Sequence, residues 1–217
     1  MDKIMFNEKY GLESAVLNRT KPMTRRLVRC PKKFKGIEDI ELEFHQRLDQ
    51  DFYYDCVVVD ANGHELGQLP LPYEIGDVVA IAQSYESLVD DLYHGQEENF
   101  VSRVLKEHGK KKLGDVAGWT NKMFVRAKLM PHHIQITDLW FERLQDISEE
   151  DCLKEGITKG DFKDFPQQMY FPYKGCKDTE VTWTPQGAFH ILIDKISGKG
   201  TWEKNPWVVV YTFELVD

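Results

Sequence analysis

The run Lys21-Pro22-Met23-Thr24-Arg25-Arg26 combines cations with a hydroxyl and has no acid among them. It lies in a segment holding eight cations and no acid: Arg19, Lys21, Arg25, Arg26, Arg29, Lys32, Lys33 and Lys35. Three cations and a hydroxyl within six residues suit the grip of an anion such as a phosphate. The whole chain has 28 Lys and Arg against 36 Asp and Glu, a net charge of −8; outside the segment 20 basic residues stand against 36 acidic ones. A basic stripe on an acidic body is an anion-binding footprint. The acidic remainder argues against wide nonspecific binding of RNA and is compatible with a small ligand or a narrow site. The competing reading is a solvated loop balanced by the acidic stretch Glu38 to Asp51, with Thr24 bonded to its own backbone in a turn.

The elements that must position these residues follow from local signals. Proline fixes its own φ and pushes the preceding residue towards extended geometry, so Lys21 to Thr24 reads as a turn or extended piece, with a strand starting at Leu27-Val28. Before it, Ile4-Met5-Phe6 reads as a short strand, and Asn7 as the cap of a helix from Glu8 to Leu17, which Gly11 weakens. Downstream, Phe52 to Asp60 and His64 to Leu71 flank Ala61-Asn62-Gly63, a hairpin signal. Val78 to Ala82 reads as a buried strand. Ser84 to Gly118 is polar, with a helix over Asn99 to Glu107 and a loose loop after it. Met123-Phe124-Val125 and then His133 to Leu144 resume the β pattern. Ser148-Glu149-Glu150-Asp151 starts a short helix ending at Gly156, with acids at the positive end of the helix dipole. Gly160 to Thr182 is irregular. Thr184-Pro185 opens a helix over Gln186 to Ile196, and Trp207 to Leu215 is a closing strand. Short strands with few helices predict an α+β protein around a small barrel.

Length and composition set the frame. At 217 residues, with 41% hydrophobic and 29% charged residues, the chain is expected to form one domain over 1–217, with inserts near 84–122 and 158–183. The N-terminus lacks a basic start followed by a long apolar run, and no apolar stretch reaches the roughly 18–20 residues a membrane helix needs. The expected location is the cytoplasm. Cys30, Cys56, Cys152 and Cys176 are scattered, with no Cys-x-x-Cys pair, and read as reduced structural thiols. His132-His133 lacks a second cluster at metal-ligand spacing. No metal or organic cofactor is expected.

The run at Lys21 resembles the motif of the ASCH family. That motif has Gly, a Lys two positions on, a Glu or Thr three further and an Arg two further; here the positions hold Arg19, Lys21, Thr24 and Arg26. Arg19 replaces the glycine that makes the family's tight turn. Tyr73 to Val79, with Gly76-Asp77, resembles a strand entry of the same superfamily. Ile134 to Ile157 and Gly198 to Trp202, with Asn205 to Val208 and the closing strand, are similar to ASCH proteins of phages and gut bacteria. The resemblance implies a PUA-like β-barrel with flanking helices, and RNA or a modified nucleoside as ligand in a cleft beside the basic segment.

One ASCH branch comprises N4-acetylcytidine amidohydrolases, which use a Lys and a Thr of this motif and a Glu on a later helix. By resemblance those roles fall on Lys21, Thr24 and Glu155. Thr24 would attack the acyl carbonyl, a neutral Lys21 would take its proton, and Glu155 would orient Lys21 or protonate the leaving amine. Arg25 and Arg26 would supply a cationic neighbourhood or bind phosphate. Tyr173 and Trp183 are candidates for stacking on a base, and Tyr85 for facing the cleft. Three functions stay open: a binding module for RNA or a modified nucleoside, a small amidohydrolase, and a phage-derived interaction protein with neither property.

Overall fold

The computed structural model describes residues 2–28, 41–46, 54–92, 97–160 and 167–217. Its elements in chain order are β1 (Lys3–Ile4), α1 (Leu12–Leu17), β2 (Met23–Leu27), β3 (Glu41–Gln46), β4 (Tyr54–Val59), β5 (Glu65–Leu69), β6 (Val78–Ile81), α2 (Tyr85–Leu92), α3 (Glu97–His108), β7 (His133–Arg143), α4 (Glu149–Lys154), β8 (Thr158–Lys159), β9 (Tyr170–Phe171), α5 (Pro185–Ser197) and β10 (Trp207–Leu215). The class is α+β, as expected.

The main sheet runs β1-β6-β7-β10-β2. Only the β1–β6 pair is parallel. β10 lies between β7 and β2, and this position explains its composition. A strand with a neighbour on each side and both faces covered needs an apolar, β-branched run, which Trp207-Val208-Val209-Val210-Tyr211 supplies. The register sets Thr24 opposite Tyr211, Arg25 opposite Val210 and Arg26 opposite Val209. Directly opposed residues share a face, so Thr24 and Arg26 project to one side of the sheet and Arg25 to the other.

Among the described residues the main sheet does not close into a barrel, because its edges β1 and β2 share no ladder. It does curl. Arg26 on β2 donates from Nη2 to the Met5 carbonyl just beyond β1, at 2.7 Å, and its guanidinium lies 5.4 Å from the Phe6 ring centroid. The edges are thus bridged by one side chain in place of main-chain pairing. β3, β4 and β5 form a separate antiparallel sheet, and β8 pairs with β9.

The large core joins Ile4, Phe6, Ile134, Ile136, Val208 and Leu192, among others. A second cluster, with Tyr85, Leu88, Phe100 and Val104, packs α2 and α3. The stretch near 84–122 thus has a core of its own, and the segment after α3, expected as a loose loop, is anchored to it by the buried Val116. A third cluster lies under the small sheet at Cys56, Val58 and Leu69. Among the described residues no helix is long and apolar enough to cross a membrane.

Several local expectations change in detail. The helix read over Glu8 to Leu17 splits: Glu8–Tyr10 is a single 3-10 turn, and Gly11, at φ 68°, takes a left-handed conformation that only then admits α1. β2 begins at Met23 and not at Leu27, so the motif residues lie on a strand. Met123 to Val125 is no strand, because the Asn121 side chain accepts the Met123 N–H and caps a 3-10 turn at Lys122–Phe124. α4 and α5 start where their caps predict: Ser148 accepts from Asp151 N–H and Thr184 from Gly187 N–H, both at 3.1 Å. The expected acidic counterweight, Glu38 to Asp51, falls largely outside the described residues, as do Arg29, Cys30, Lys32, Lys33 and Lys35.

Candidate functional site

A cleft of about 900 Å³ opens beside β2. Its polar side carries Lys21, Thr24, Arg25, Arg26 and Glu155; its apolar side is the α5 stripe Phe189, Leu192, Ile193 and Ile196. The stripe follows from helical periodicity, which brings positions three and four apart onto one face. The turn at Thr120 to Met123 and the segment from Met5 to Lys9 complete the lining. Five cations and two carboxylates border the cleft, so it favours an anionic or electron-rich ligand.

Lys21 is almost wholly buried and is paired with Glu155. Its Nζ donates to the Glu155 carbonyl at 2.8 Å and to the Glu155 carboxylate Oε2. These residues are 134 positions apart, and the fold of α4 brings them together. Glu155 is the C-cap of α4, and Gly156 follows at φ 105°, which turns the chain immediately after it. A Cβ at Gly156 would sit 3.3 Å from Leu12 Cδ2 and 3.8 Å from Lys21 Cδ. Glycine therefore lets the turn close onto the lysine stem.

Arg25 meets three carboxylates. Nε donates to Glu142 at 2.7 Å, Nη2 to Asp151 at 3.1 Å and Nη1 to Glu155 at 3.3 Å. Asp151 and Glu155 are four residues apart, on one face of α4, and Glu142 lies diagonally across β10 from Arg25. Burial of the guanidinium opposes its charge, but the pull of Glu155, Glu142 and Asp151 outweighs it and holds the group further into the charged form. For Lys21 the balance falls the other way. Burial pushes its pKa down against the attraction of Glu155, and Arg26 and Arg25 push in the same direction as burial. Its amine loses a proton more readily than an ordinary lysine.

Thr24 is buried on the same cleft, and among the described residues its side chain has no hydrogen-bond partner. Lys21 and Thr24 are not hydrogen-bonded to one another. Arg26 is the motif cation without a carboxylate partner among the described residues. Its Nε is buried and unpartnered there, as is the hydroxyl of Tyr211 opposite Thr24.

Thus Lys21, Thr24, Arg25, Arg26 and Glu155 are brought together. The three aromatic candidates are not among the residues bordering the cleft. Tyr85 is buried in the second cluster with its hydroxyl 3.2 Å from His108 Nε2. Tyr173 packs on Tyr10 and donates to Glu180 at 2.5 Å, and Trp183 is exposed elsewhere on the surface. An aromatic residue in an irregular stretch carries no local signal that aims it at a distant site.

Sequence reading missed Glu142, Asp151 and the turn residue Lys122. Lys122 Nζ donates to Glu8 and Glu13, each at 2.9 Å, and to the Phe6 carbonyl. Asp151 had a usable signal, the four-residue spacing to Glu155; Glu142 and Lys122 had none. Protein-family models, curated proteins and solved structures were all compared with this chain, and none matches it.

Proposed function

We propose that this protein is an ASCH-type, PUA-like domain of the cytoplasm whose cleft receives a modified nucleoside, free or within RNA, and that Thr24, Lys21 and Glu155 hydrolyse an exocyclic amide on its base. One observation carries this reading. Glu155 delivers both its carbonyl and its carboxylate to the Lys21 amine on the wall of a cleft that Thr24 also borders with an uncommitted hydroxyl. The curl of the main sheet, bridged by Arg26, is compatible with a PUA-like ancestry.

The chemistry needs a nucleophile, a base and a proton donor. Thr24 Oγ1 attacks the acyl carbonyl and its proton passes to neutral Lys21. The tetrahedral intermediate collapses, the C–N bond breaks, and Lys21 returns the proton to the leaving amine. Water then cleaves the Thr24 ester, giving a carboxylate and restoring the hydroxyl. Glu155 holds the Lys21 amine in place, and the lowered lysine pKa favours the neutral form that must accept the proton. Ligand binding has to close the gap between Lys21 and Thr24, as catalytic hydrogen bonds often tighten only in the complex. The α5 stripe offers an apolar surface to the base and its acyl group, and Arg26 offers charge to a phosphate or carbonyl.

A second reading is binding without turnover. It is favoured by the double engagement of Lys21 with Glu155 and by its lack of a bond to Thr24. Incubation with N4-acetylcytidine, with cytidine release followed by chromatography, separates the two. Amide hydrolysis predicts release that falls by about 10²-fold or more in Lys21→Ala and in Thr24→Ala. No release at high protein concentration, or release unchanged in both variants, overturns it. Calorimetry with the same nucleoside and with RNA then tests the binding reading.

A further inference from the structure

Away from the cleft, His190, Asp194 and Glu203 converge where α5 meets the turns leading to β10. His190 and Asp194 are one turn apart on α5, and Glu203 comes from the connecting segment. His190 Nε2 is 3.2 Å from Glu203 Oε1 and 3.8 Å from Asp194 Oδ2, and one donor atom from each residue lies within 4.8 Å of the others. An ion held at about 2.0–2.2 Å by nitrogen and oxygen sets its donors about 3–3.5 Å apart. His190 already stands close to that spacing from both carboxylates, and the two carboxylates need to draw together by no more than about 1–2 Å.

Two of them are also oriented by contacts outside the cluster. The His190 ring stacks on Trp202, with centroids 5.4 Å apart and planes 18° from parallel. Asp194 accepts from Gly200 N–H at 2.8 Å and from Trp202 N–H at 3.0 Å, each oxygen keeping a lone pair. Outer contacts that fix ligand orientation are what metal sites use to hold their first ligands.

We propose that His190, Asp194 and Glu203 bind one divalent transition-metal ion of the zinc type, with solvent in the remaining positions. One imidazole with two carboxylates suits such borderline ions better than Mg2+ or Ca2+, which take oxygen ligands almost exclusively. The ion ties α5 to the segment before β10. Trp202 packs edge-on against Phe189, 6.2 Å between centroids, so the tie also braces the apolar wall of the cleft. Without an ion, the same residues form only a contact between the imidazole and the carboxylates.

The test uses the full chain after chelator treatment. Zn2+ is titrated by calorimetry and Co2+ by visible absorption, in the wild type, His190→Gln, Glu203→Gln and His133→Gln. The last variant alters a histidine paired with Asp217, outside the cluster. Circular dichroism checks that each variant is folded. The expected result is one ion per chain, with Zn2+ affinity reduced about tenfold or more in His190→Gln and Glu203→Gln and unchanged in His133→Gln. Zn2+ should raise the melting temperature of the wild type and not of His190→Gln. No binding by the wild type overturns the proposal. So does equal binding by wild type and His190→Gln, or a thiolate-to-cobalt charge-transfer band, which would put the ion on a cysteine.

Discussion

Two groups of cations and carboxylates border the same cleft and respond to burial in opposite ways. Beneath β2 and α4, Lys21 and Arg25 meet Glu142, Asp151 and Glu155. At the N-terminal turn, Lys122 alone serves Glu8 and Glu13. In the first group Glu155 has two cationic donors, and the desolvation cost falls on the amine: the Lys21 pKa is lowered. In the second the single ammonium is shared and partly exposed. There the cost falls on the carboxylate, and burial raises Glu13 to about 7 despite Lys122. The number of counter-charges per buried group, more than the presence of an ion pair, decides where burial shifts a pKa.

The largest expected break in this comparison comes from Glu155→Leu. It removes the carboxylate that accepts from Lys21 and leaves Arg25 with one carboxylate fewer, and should cost about 3–5 kcal/mol in urea unfolding. Lys21→Met should cost less, about 1–3 kcal/mol, because Glu155 keeps Arg25. Equal losses from both substitutions would refute the unequal sharing of charge described above.

The second group should be visible as a pH dependence. The folded-state pKa of Glu13 lies above its unfolded value, so the folded protein binds the extra proton. Its contribution to stability is therefore full below about 4.5, falls as pH rises to about 7 and stays lost above it, up to about 3 kcal/mol. Glu13→Gln should flatten this part of the curve and exceed the wild type in stability at pH 8, as read from urea midpoints. A wild-type contribution that instead rises with pH, and disappears in Glu13→Gln, would show that Lys122 holds Glu13 ionised.

A smaller effect is expected from Lys122→Met. Removing this partly exposed ammonium should cost about 0.5–1 kcal/mol at pH 5, where Glu13 is protonated, and more at pH 8. The smallest stability effect should come from Arg26→Lys, about 0.5 kcal/mol, through a weaker cation–π contact with Phe6. Anion or nucleoside affinity, measured by calorimetry, should fall with it and depend on salt; the parallel change Arg25→Lys should act mainly on stability.

Much of the fold was written in short stretches of sequence. The apolar, β-branched run Trp207 to Leu215 is β10 over its whole length, and Ser148 and Thr184-Pro185 mark the starts of α4 and α5. Caps, prolines and apolar runs act within a few residues, so they can be read without knowing what lies nearby in space. Lys21, Thr24 and Arg26 could be singled out for the same reason, as a dense polar run with a family resemblance. The order of strands could not, since β2 pairs with a strand more than 180 residues away.

The sequence by itself determined which residues form helices and strands at their strongest signals, and that a basic run at Lys21 stands out from an otherwise acidic chain. Only the tertiary structure decided what each charge does. It commits Arg25 to three carboxylates, leaves Arg26 beside Phe6, carries Lys122 into the cleft and brings Glu203 to His190. It also takes Tyr85, Tyr173 and Trp183 away from the cleft lining. The physical reason is that charge and hydrogen-bond energies depend on burial and on distances of a few ångströms. Both are set by packing between segments far apart in the chain.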